Sequence, residues 1–184
     1  MSLPDDVVCE RLTLRLISPE DAEGMLAGRR RVSWHPDYPR RDDRDAASMV
    51  KAGDPQAGWG PRHIVRHGDG MVVGSIGFFG APVAVDDVDE TEVGFGLVED
   101  ARGHGAVTEA LTALLEHTDR AGVRIRASVQ PENRASLRVL AKCGFTQLRG
   151  STEDGELVMV RPLPASSVVE ERAPASVSKP PTDS

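Results

Sequence analysis

The stretch Arg102-Gly103-His104-Gly105-Ala106-Val107-Thr108-Glu109-Ala110 decides the fold, because it joins a predicted strand to a long predicted helix. Apolar residues recur at three- and four-residue spacing over residues 105–120, which predicts an amphipathic helix. The glycines at 103 and 105 let the backbone turn tightly, so that its N–H groups face one concavity at the positive end of the helix dipole. Such a concavity can bind a pyrophosphate, and the same Gly-x-Gly pattern also forms plain tight turns. The stretch is neither a Walker loop nor a complete dinucleotide fingerprint, since Thr108 replaces the third glycine.

The strand before this stretch, residues 91–98, has two unequal faces. Large apolar residues at positions 93, 95 and 97 share one face, whereas Glu92, Gly94 and Gly96 share the other. A face this small suits a ligand that lies close to the backbone, with the Glu92 carboxylate at its edge. The sequence therefore predicts a binding site along this strand.

Further elements surround this unit on both sides. Before it, the patterns predict a strand over residues 12–17, a helix over 19–28, a helix near 45–51 and a hairpin joining strands 63–66 and 71–79. An acidic surface loop is expected at residues 86–90. After it follow a strand over 123–129, a helix over 132–142 ending at Gly144, and strands near 145–149 and 156–161. This order predicts an α/β (α+β) fold with a mixed sheet, a central βαβ unit and flanking helices.

Composition bounds the remaining possibilities. The chain has 184 residues and 19.8 kDa, with 22 Lys+Arg against 29 Asp+Glu and a formal net charge of −7. This length predicts one domain, which we place at residues 1–162, followed by a disordered tail at residues 163–184 that is rich in Pro, Ser and Thr. The acidic charge argues against nucleic acid as a partner and favours a cationic small molecule or basic peptide.

Location and metal content follow from what the sequence lacks. No apolar run approaches the roughly 20 residues of a membrane helix, and the N-terminus has no signal-peptide layout, so we expect a cytoplasmic protein without membrane contact. Cys9 and Cys143 have no partners at metal or Cys-x-x-Cys spacing. We therefore predict no metal and interpret both cysteines as small buried apolar residues.

Three blocks together resemble the GNAT superfamily of N-acetyltransferases, in particular its RimJ/RimL-like group. They are Glu92-Val93-Gly94-Phe95, the stretch quoted at the start, and Asn133-Arg134-Ala135-Ser136 continuing to Gly144-Phe145. With the Leu12-Thr13-Leu14-Arg15 strand, the resemblance covers roughly residues 10–162. It implies a GNAT-like fold with a mostly antiparallel central sheet and acetyl-CoA as co-substrate.

The resemblance also implies where acetyl-CoA would bind. Its pyrophosphate would lie on the backbone amides of Arg102, Gly103, His104, Gly105, Ala106 and Val107, with Thr108 adding a hydroxyl. The pantetheine arm would lie along the backbone of Leu97 and Val98, and Asn133 would meet it from the opposite side. Asn133 is equally suited to cap the following helix, and His104 to point into solvent.

Two residues are the catalytic candidates that the resemblance implies. Glu92 would accept the proton of the incoming ammonium, directly or through water, and a backbone N–H near Leu97 would stabilise the oxyanion. Many members use a tyrosine to reprotonate the CoA thiolate, but this chain has Leu140 at that position, so Ser136 is the substitute donor. Alternatives stay open: Glu92 in a surface ion pair, and Ser136 as a polar partner of a cap.

Some features of the family pattern are missing or hard to interpret. The family's Gln or Arg three residues before the first glycine is Asp100 here. Tyr38, the only tyrosine, either reaches the site or lies on the surface. It belongs to a ring-bearing group with Trp34, His35 and Trp59, which forms either the acceptor side of the site or a small core of its own.

The sequence supports one leading function and two alternatives. The leading function is an acetyl-CoA-dependent N-acetyltransferase that acts on a primary amine by direct attack in a ternary complex. The alternatives are a non-catalytic, regulatory acyl-CoA-binding relative, and a plain nucleotide-binding module. The acceptor classes left open are a peptide N-terminus, an aminoglycoside, a polyamine and a small amine such as an amino acid, and similar proteins suggest a possible homodimer.

Overall fold

The computed structural model describes residues 2–165, and within them nine strands and four helices. The helices are α1 (Pro19–Leu26), α2 (Arg41–Ala47), α3 (Ala106–Arg120) and α4 (Arg134–Lys142). The strands are β1 (Asp6–Val8), β2 (Leu12–Leu16), β3 (Pro61–Arg66), β4 (Val72–Phe78), β5 (Val83–Val85), β6 (Val88–Leu97), β7 (Arg124–Val129), β8 (Gln147–Ser151) and β9 (Leu157–Arg161).

The strands form one mixed sheet. Their order is β1-β2-β3-β4-β6-β7-β9-β8, and β5 forms a short hairpin with β6. Among the nine strands, only β6 and β7 pair in parallel, and α3 lies between them in the chain, whereas every other strand pair is antiparallel. The predicted mixed, mostly antiparallel sheet with a central βαβ unit is confirmed.

The helices cover the two faces of the sheet separately. On one face, α3 packs against β1, β2, β6 and β7 and buries Leu111, Leu114 and Leu115. The opposite face contains His63, Ser75 and Gly96, which are register partners on β3, β4 and β6. The α1–α2 loop and α2 cover that face, so the sheet separates two halves of the molecule.

Hydrogen bonds attach this second covering layer to the sheet. The hydroxyl of Tyr38 contacts Nδ1 of His63 at 2.8 Å, and Nε2 of His63 lies 3.1 Å from Asp21 of α1. Ser75 donates to Asp43 of α2 at 2.5 Å. Burial lowers the pKa of His63, and the hydrogen bond that His63 donates to Asp21 acts in the opposite direction. Tyr38 and Trp34 are therefore part of the core and not surface residues.

Several predicted boundaries are wrong. Helix α2 spans Arg41–Ala47 and not residues 45–51, and the short strands β1 and β5 were not predicted. Glu90 lies in β6 with only 2% of its surface exposed, so it does not belong to a surface loop. Cys9 and Cys143 are half-buried, and burial raises the pKa of both thiols, that of Cys9 to about 11.

The predicted tail and the expectation about membrane helices can be compared only with residues 2–165. Of the predicted tail at 163–184, residues 166–184 lie outside the described part of the chain. Within residues 2–165, no helix combines the length and apolar character that a membrane crossing requires.

Candidate active site

The turn at residues 102–107, called the nest below, has the geometry of an anion-binding site. Gly103 and Gly105 have φ angles of +79° and +77°, which glycine adopts without strain. Gly105 is the N-cap of α3, and the first intrahelical bond runs from Glu109 N to Gly105 O at 3.0 Å. The amides of residues 106–108 therefore have no acceptor within the helix and are available to a bound anion.

Arg11 holds the nest in place from the N-terminal side. Its backbone N and its Nε each donate to Glu109 at 2.7 Å, and its Nη1 donates to the carbonyl of His104 at 2.9 Å. Burial acts to raise the pKa of Glu109, but the bonds from Arg11 outweigh it and the pKa lies below its usual value. Arg11 thus balances the carboxylate nearest to the nest, while the His104 side chain is exposed.

Beside the nest, the sheet opens between β6 and β7. Their parallel register runs from Glu90↔Arg124 to Glu92↔Arg126 and ends there. The Glu92 carbonyl accepts from Phe79 N at 3.0 Å and Val98 N donates to Val73 O at 2.8 Å, so these groups face β4. Because backbone groups alternate along a strand, those of residues 93, 95 and 97 face the opposite edge.

This opening, called the gap below, presents backbone groups of β6 toward β7. The Leu97 carbonyl accepts from Nε of Arg102 at 3.1 Å, which connects the end of the gap to the nest. Val98, predicted beside Leu97 as a pantetheine contact, already uses its N–H for Val73 and its C=O for Ala101 N at 3.1 Å. An extended ligand arm would therefore pair with Phe95 and Leu97, as an added strand would.

A cleft of about 310 Å³ crosses the sheet at the gap. The segment around α2 forms one wall, and the start of α4 forms the other. The residues that line it include Arg40, Asp42, Met49, Phe95, Ser128, Asn133, Ser136, Leu140 and Glu156. Two ligands that enter from opposite faces of the sheet can therefore meet in one cleft.

Asn133 and Ser136 lie together at the α4 wall. Oδ1 of Asn133 accepts from the backbone N of Ser136 at 3.1 Å, so Asn133 caps α4. Both residues also line the cleft, as does the buried Leu140. The capping bond uses only the amide oxygen of Asn133, and its amide nitrogen can still donate to a ligand.

Glu92 lies at the base of the gap and is not among the residues that line the cleft. Its Oε2 is 3.1 Å from Nη2 of Arg126, and its side chain is 16% exposed. The carboxylates that line the cleft are Asp42 and Glu156, neither of which the sequence patterns singled out. The sequence-predicted base is thus close to the site, but an arginine holds it.

Trp34 and Tyr38 pack with His63 in a core beneath the loop and do not line the cleft, whereas Trp59 packs against Phe78. Tyr38 is fully buried, and burial raises its pKa far above its usual value. Nδ1 of His35 accepts from Asp37 N at 3.1 Å, so its Nε2 carries the proton and donates to Asp100 at 2.9 Å. This bond attaches the α1–α2 loop to the segment before the nest.

Sequence reasoning missed a polar group beside the gap. Arg40, Asp43 and Ser75 come from three separate segments, and Arg40 and Ser75 line the cleft. Asp43 is fully buried and accepts from both. A short-range signal was present, since Asp43 stands three residues after Arg40 at the start of α2 and accepts its backbone N–H at 2.8 Å.

No group of three or more His, Cys, Asp or Glu side chains in the described residues is arranged to hold a metal ion. The chemistry available in the cleft is that of backbone and side-chain amides, carboxylates, serine hydroxyls and an arginine. Such groups can bind an acylated thiol and an amine side by side and move a proton between them.

Known proteins agree with this geometry. The GNAT acetyltransferase domain matches residues 11–146. A ribosomal-protein-S5-alanine acetyltransferase from Vibrio fischeri has a TM-score of 0.60 at 17% identity, over 87% of this chain and 97% of its own. Mycobacterium smegmatis RimJ in complex with CoA-disulfide has a TM-score of 0.59 at 24% identity, over 85% of this chain and 87% of its own.

A third solved structure has the same fold. The microcin C7 self-immunity acetyltransferase MccE, in complex with acetyl-CoA and AMP, has a TM-score of 0.58 at 18% identity, over 83% of this chain and 92% of its own. Identities this low show likeness of fold. A search of curated proteins gave no match. The domain match covers well over half of the sequence, and the chain therefore belongs to the GNAT acetyltransferase family.

Proposed function

We propose that the protein is an acetyl-CoA-dependent N-acetyltransferase that transfers an acetyl group to a primary amine by direct attack in a ternary complex. The gap between β6 and β7 carries this proposal, because the parallel register ends at Glu92↔Arg126 and leaves one edge of β6 open. The nest lies at one end of that edge, and the cleft opens at its centre.

The residues present suit acetyl-CoA. The free amides of residues 106–108 at the head of α3 favour a pyrophosphate, and the open edge at Phe95 and Leu97 suits the amide groups of a pantetheine arm. Asn133 can reach the same arm from the α4 wall. Structures of two family members at 24% and 18% identity contain CoA-disulfide and acetyl-CoA, which supports the same ligand here.

The chemistry needs one proton acceptor and one proton donor. The ammonium loses one proton to the base, and its nitrogen forms a bond to the thioester carbonyl carbon. The C–S bond then breaks to release a thiolate, while the nitrogen gives up a second proton to leave the neutral amide. Glu92 is the proposed base, acting through water because Arg126 holds its carboxylate. A backbone N–H near Leu97 is the proposed oxyanion donor, and Ser136 the proposed source of the proton that the thiolate takes up.

A regulatory acyl-CoA-binding protein is the second candidate. Two observations favour it: the expected tyrosine position holds the buried Leu140, and Tyr38 is enclosed in the core beside His63. Neither residue can donate a proton in the cleft. In this alternative, acetyl-CoA binds in the gap and no acetyl group is transferred.

The acceptor belongs to the proposal as well. We propose a protein N-terminus as the first amine to test, in a RimJ/RimL-like role, and the likeness in fold to a ribosomal-protein-S5-alanine acetyltransferase and to RimJ supports this choice. Aminoglycosides, polyamines and small amines are the competing acceptors, and a homodimer is one assembly to test.

Thiol release from acetyl-CoA over a panel of these amines tests the proposal. Steady release with at least one amine supports transfer. CoA that raises the melting temperature without thiol release from any amine supports the regulatory alternative. A rise with ATP or NAD but not with CoA contradicts both and favours a nucleotide-binding module.

A further inference from the structure

Arg40 lies on the backbone of β6 where the cleft opens. An idealised Cβ placed on Gly96 would be 2.6 Å from Nη1 of Arg40 and 2.5 Å from its Nη2, so the guanidinium lies directly on the glycine. Only glycine at position 96 allows this approach. Gly96 lies on the face that α2 covers, which is the side opposite to α3 and the nest.

The guanidinium is held rigidly by a buried carboxylate. Nε of Arg40 donates to Oδ2 of Asp43 at 2.9 Å, and Nη2 donates to Oδ1 at 2.8 Å. Asp43 also accepts from the hydroxyl of Ser75 on β4 and has no exposed surface. A bidentate pair that is itself anchored to the sheet fixes the guanidinium plane.

One nitrogen of the Arg40 guanidinium does not take part in these bonds. Among residues 2–165, Nη1 of Arg40 has no hydrogen-bond partner, although the Arg40 side chain is only 21% exposed. Arg40 lines the cleft, so a ligand entering from the α2 side meets a fixed, partly desolvated N–H donor. Such a donor favours an acceptor that carries an oxygen atom near its amine, and it disfavours an acceptor with a second ammonium group there.

The cleft also has room beyond Arg40. A second cavity of about 530 Å³ shares the wall formed by Met49, Pro61, Phe78 and Phe79 with the cleft. The second cavity therefore adjoins the cleft along these four residues and offers space next to it for an acceptor longer than a single amino acid.

We infer that Arg40, fixed by Asp43 and Ser75, is a specificity-determining residue that binds the carbonyl oxygen on the carbon attached to the amine-bearing carbon of the acceptor. This inference rests on the proposed transfer activity. The acceptor class is thus an α-amino carbonyl compound, either a peptide N-terminus or a free amino acid, and not a polyamine. The second cavity favours the peptide.

The test compares amines that differ in this oxygen. Thiol release is measured with the dipeptide amide Ala-Ala-NH₂, with alanine, with isopropylamine, which lacks the oxygen, and with spermidine. Each amine is given to the wild type, to Arg40→Lys and to Arg41→Lys. Arg40→Lys keeps a cation beside Asp43 but removes the planar fork and the spare donor, whereas Arg41 is an exposed neighbour that does not line the cleft.

We expect Arg40→Lys to lower kcat/KM for the dipeptide amide by roughly tenfold or more relative to isopropylamine. The ratio between variant and wild type removes the intrinsic reactivity of each amine. Arg41→Lys should leave the ratio unchanged. A higher kcat/KM for alanine than for the dipeptide amide, together with the same loss in Arg40→Lys, would support the α-amino carbonyl class and overturn the choice of a peptide.

The opposite results are equally distinct. Equal losses for both amines, or spermidine as the best acceptor of the wild type, overturn the inference and leave the proposed transferase activity standing. Absence of thiol release with every amine overturns the transferase activity itself. Thermal unfolding of each variant with CoA present separates a loss of recognition from a loss of folding.

Discussion

The carboxylate of Glu92 lies 3.1 Å from Nη2 of Arg126, in the last register pair before β6 and β7 separate. This ion pair closes the base of the gap. Arg126 thereby fixes the end of the parallel ladder, and an activity measurement can decide whether Glu92 also serves as the base.

If Glu92 is the base, Glu92→Gln should lower kcat on the order of a hundredfold, with little change in the KM for acetyl-CoA. Steady-state thiol release measures both constants. Glu156→Gln is the matched control, because Glu156 is the half-buried carboxylate that lines the cleft itself. A large loss in Glu156→Gln with normal activity in Glu92→Gln would transfer the role of base to Glu156.

If the nest binds the pyrophosphate, substitutions of glycine at the two ends of α3 should have different effects on CoA binding. Gly105 has φ = +77°, and an added Cβ would meet only Nη2 of Arg11 at 3.6 Å. Gly105→Val therefore introduces backbone strain, about 1–2 kcal/mol for a left-handed residue, at the N-cap that shapes the nest. We expect it to abolish the rise in melting temperature caused by CoA.

Gly122 supplies the control for this strain. It follows the C-terminus of α3 with φ = +69° and has open space around it. Gly122→Val should lower the melting temperature of the protein alone by a similar amount and keep the full rise with CoA. Equal responses to CoA in both variants would contradict the assignment of the pyrophosphate to the nest.

Local patterns were sufficient to predict the nest and its neighbours. The positive φ angles at Gly103, Gly105 and Gly144 and the cap of α1 at Ser18 each depend on residues within a few positions of one another. Strands β1 and β5 have three residues each, too few to show an alternating pattern. Helix α2 begins at Arg41, four residues before the start of the predicted helix at residue 45. The hydrogen bond that Asp43 accepts from the Arg40 N–H marks this start.

The parts of the site that sequence patterns missed depend on distant contacts. Glu90 stands in an acidic run that is typical of a surface loop, yet Arg149, 59 positions away, donates to it twice at 2.6 and 2.8 Å. Arg40 reaches the cleft only because Gly96 admits its guanidinium. Neither contact can be predicted from residues close by in the sequence, because each forms only when the sheet has assembled.

The buried Glu90 makes stability depend on pH. The hydrogen bonds from Arg149, aided by Arg124, outweigh burial and hold the pKa of Glu90 below its ordinary value of 4.5. Because the folded-state pKa is the lower one, this stabilisation is present above pH 4.5 and is lost as the pH falls through the folded-state pKa. Urea unfolding at pH 7 and at several pH values below 5 measures it.

Glu90→Gln should lower the free energy of unfolding at pH 7 by about 3 kcal/mol, since it leaves two arginines without their buried partner. The difference from the wild type should shrink as the pH falls below 4.5, where the wild-type carboxylate is itself lost. Glu116→Gln, which removes an exposed partner of Arg120, should change the stability by less than about 1 kcal/mol at any pH. A difference between Glu90→Gln and wild type that does not vary with pH would contradict the ionised state of Glu90.

Asn133 has two roles that one pair of substitutions can separate. Asn133→Asp keeps an oxygen that caps α4 but removes the amide donor and adds a negative charge in the cleft. We expect unchanged thermal stability and a KM for acetyl-CoA raised roughly tenfold. Asn133→Ala should raise the KM as well and also cost about 1 kcal/mol of stability, because it removes the cap. If Asn133→Asp binds acetyl-CoA normally, the residue serves α4 alone, and the open edge of β6 must hold the pantetheine arm without help from the α4 wall.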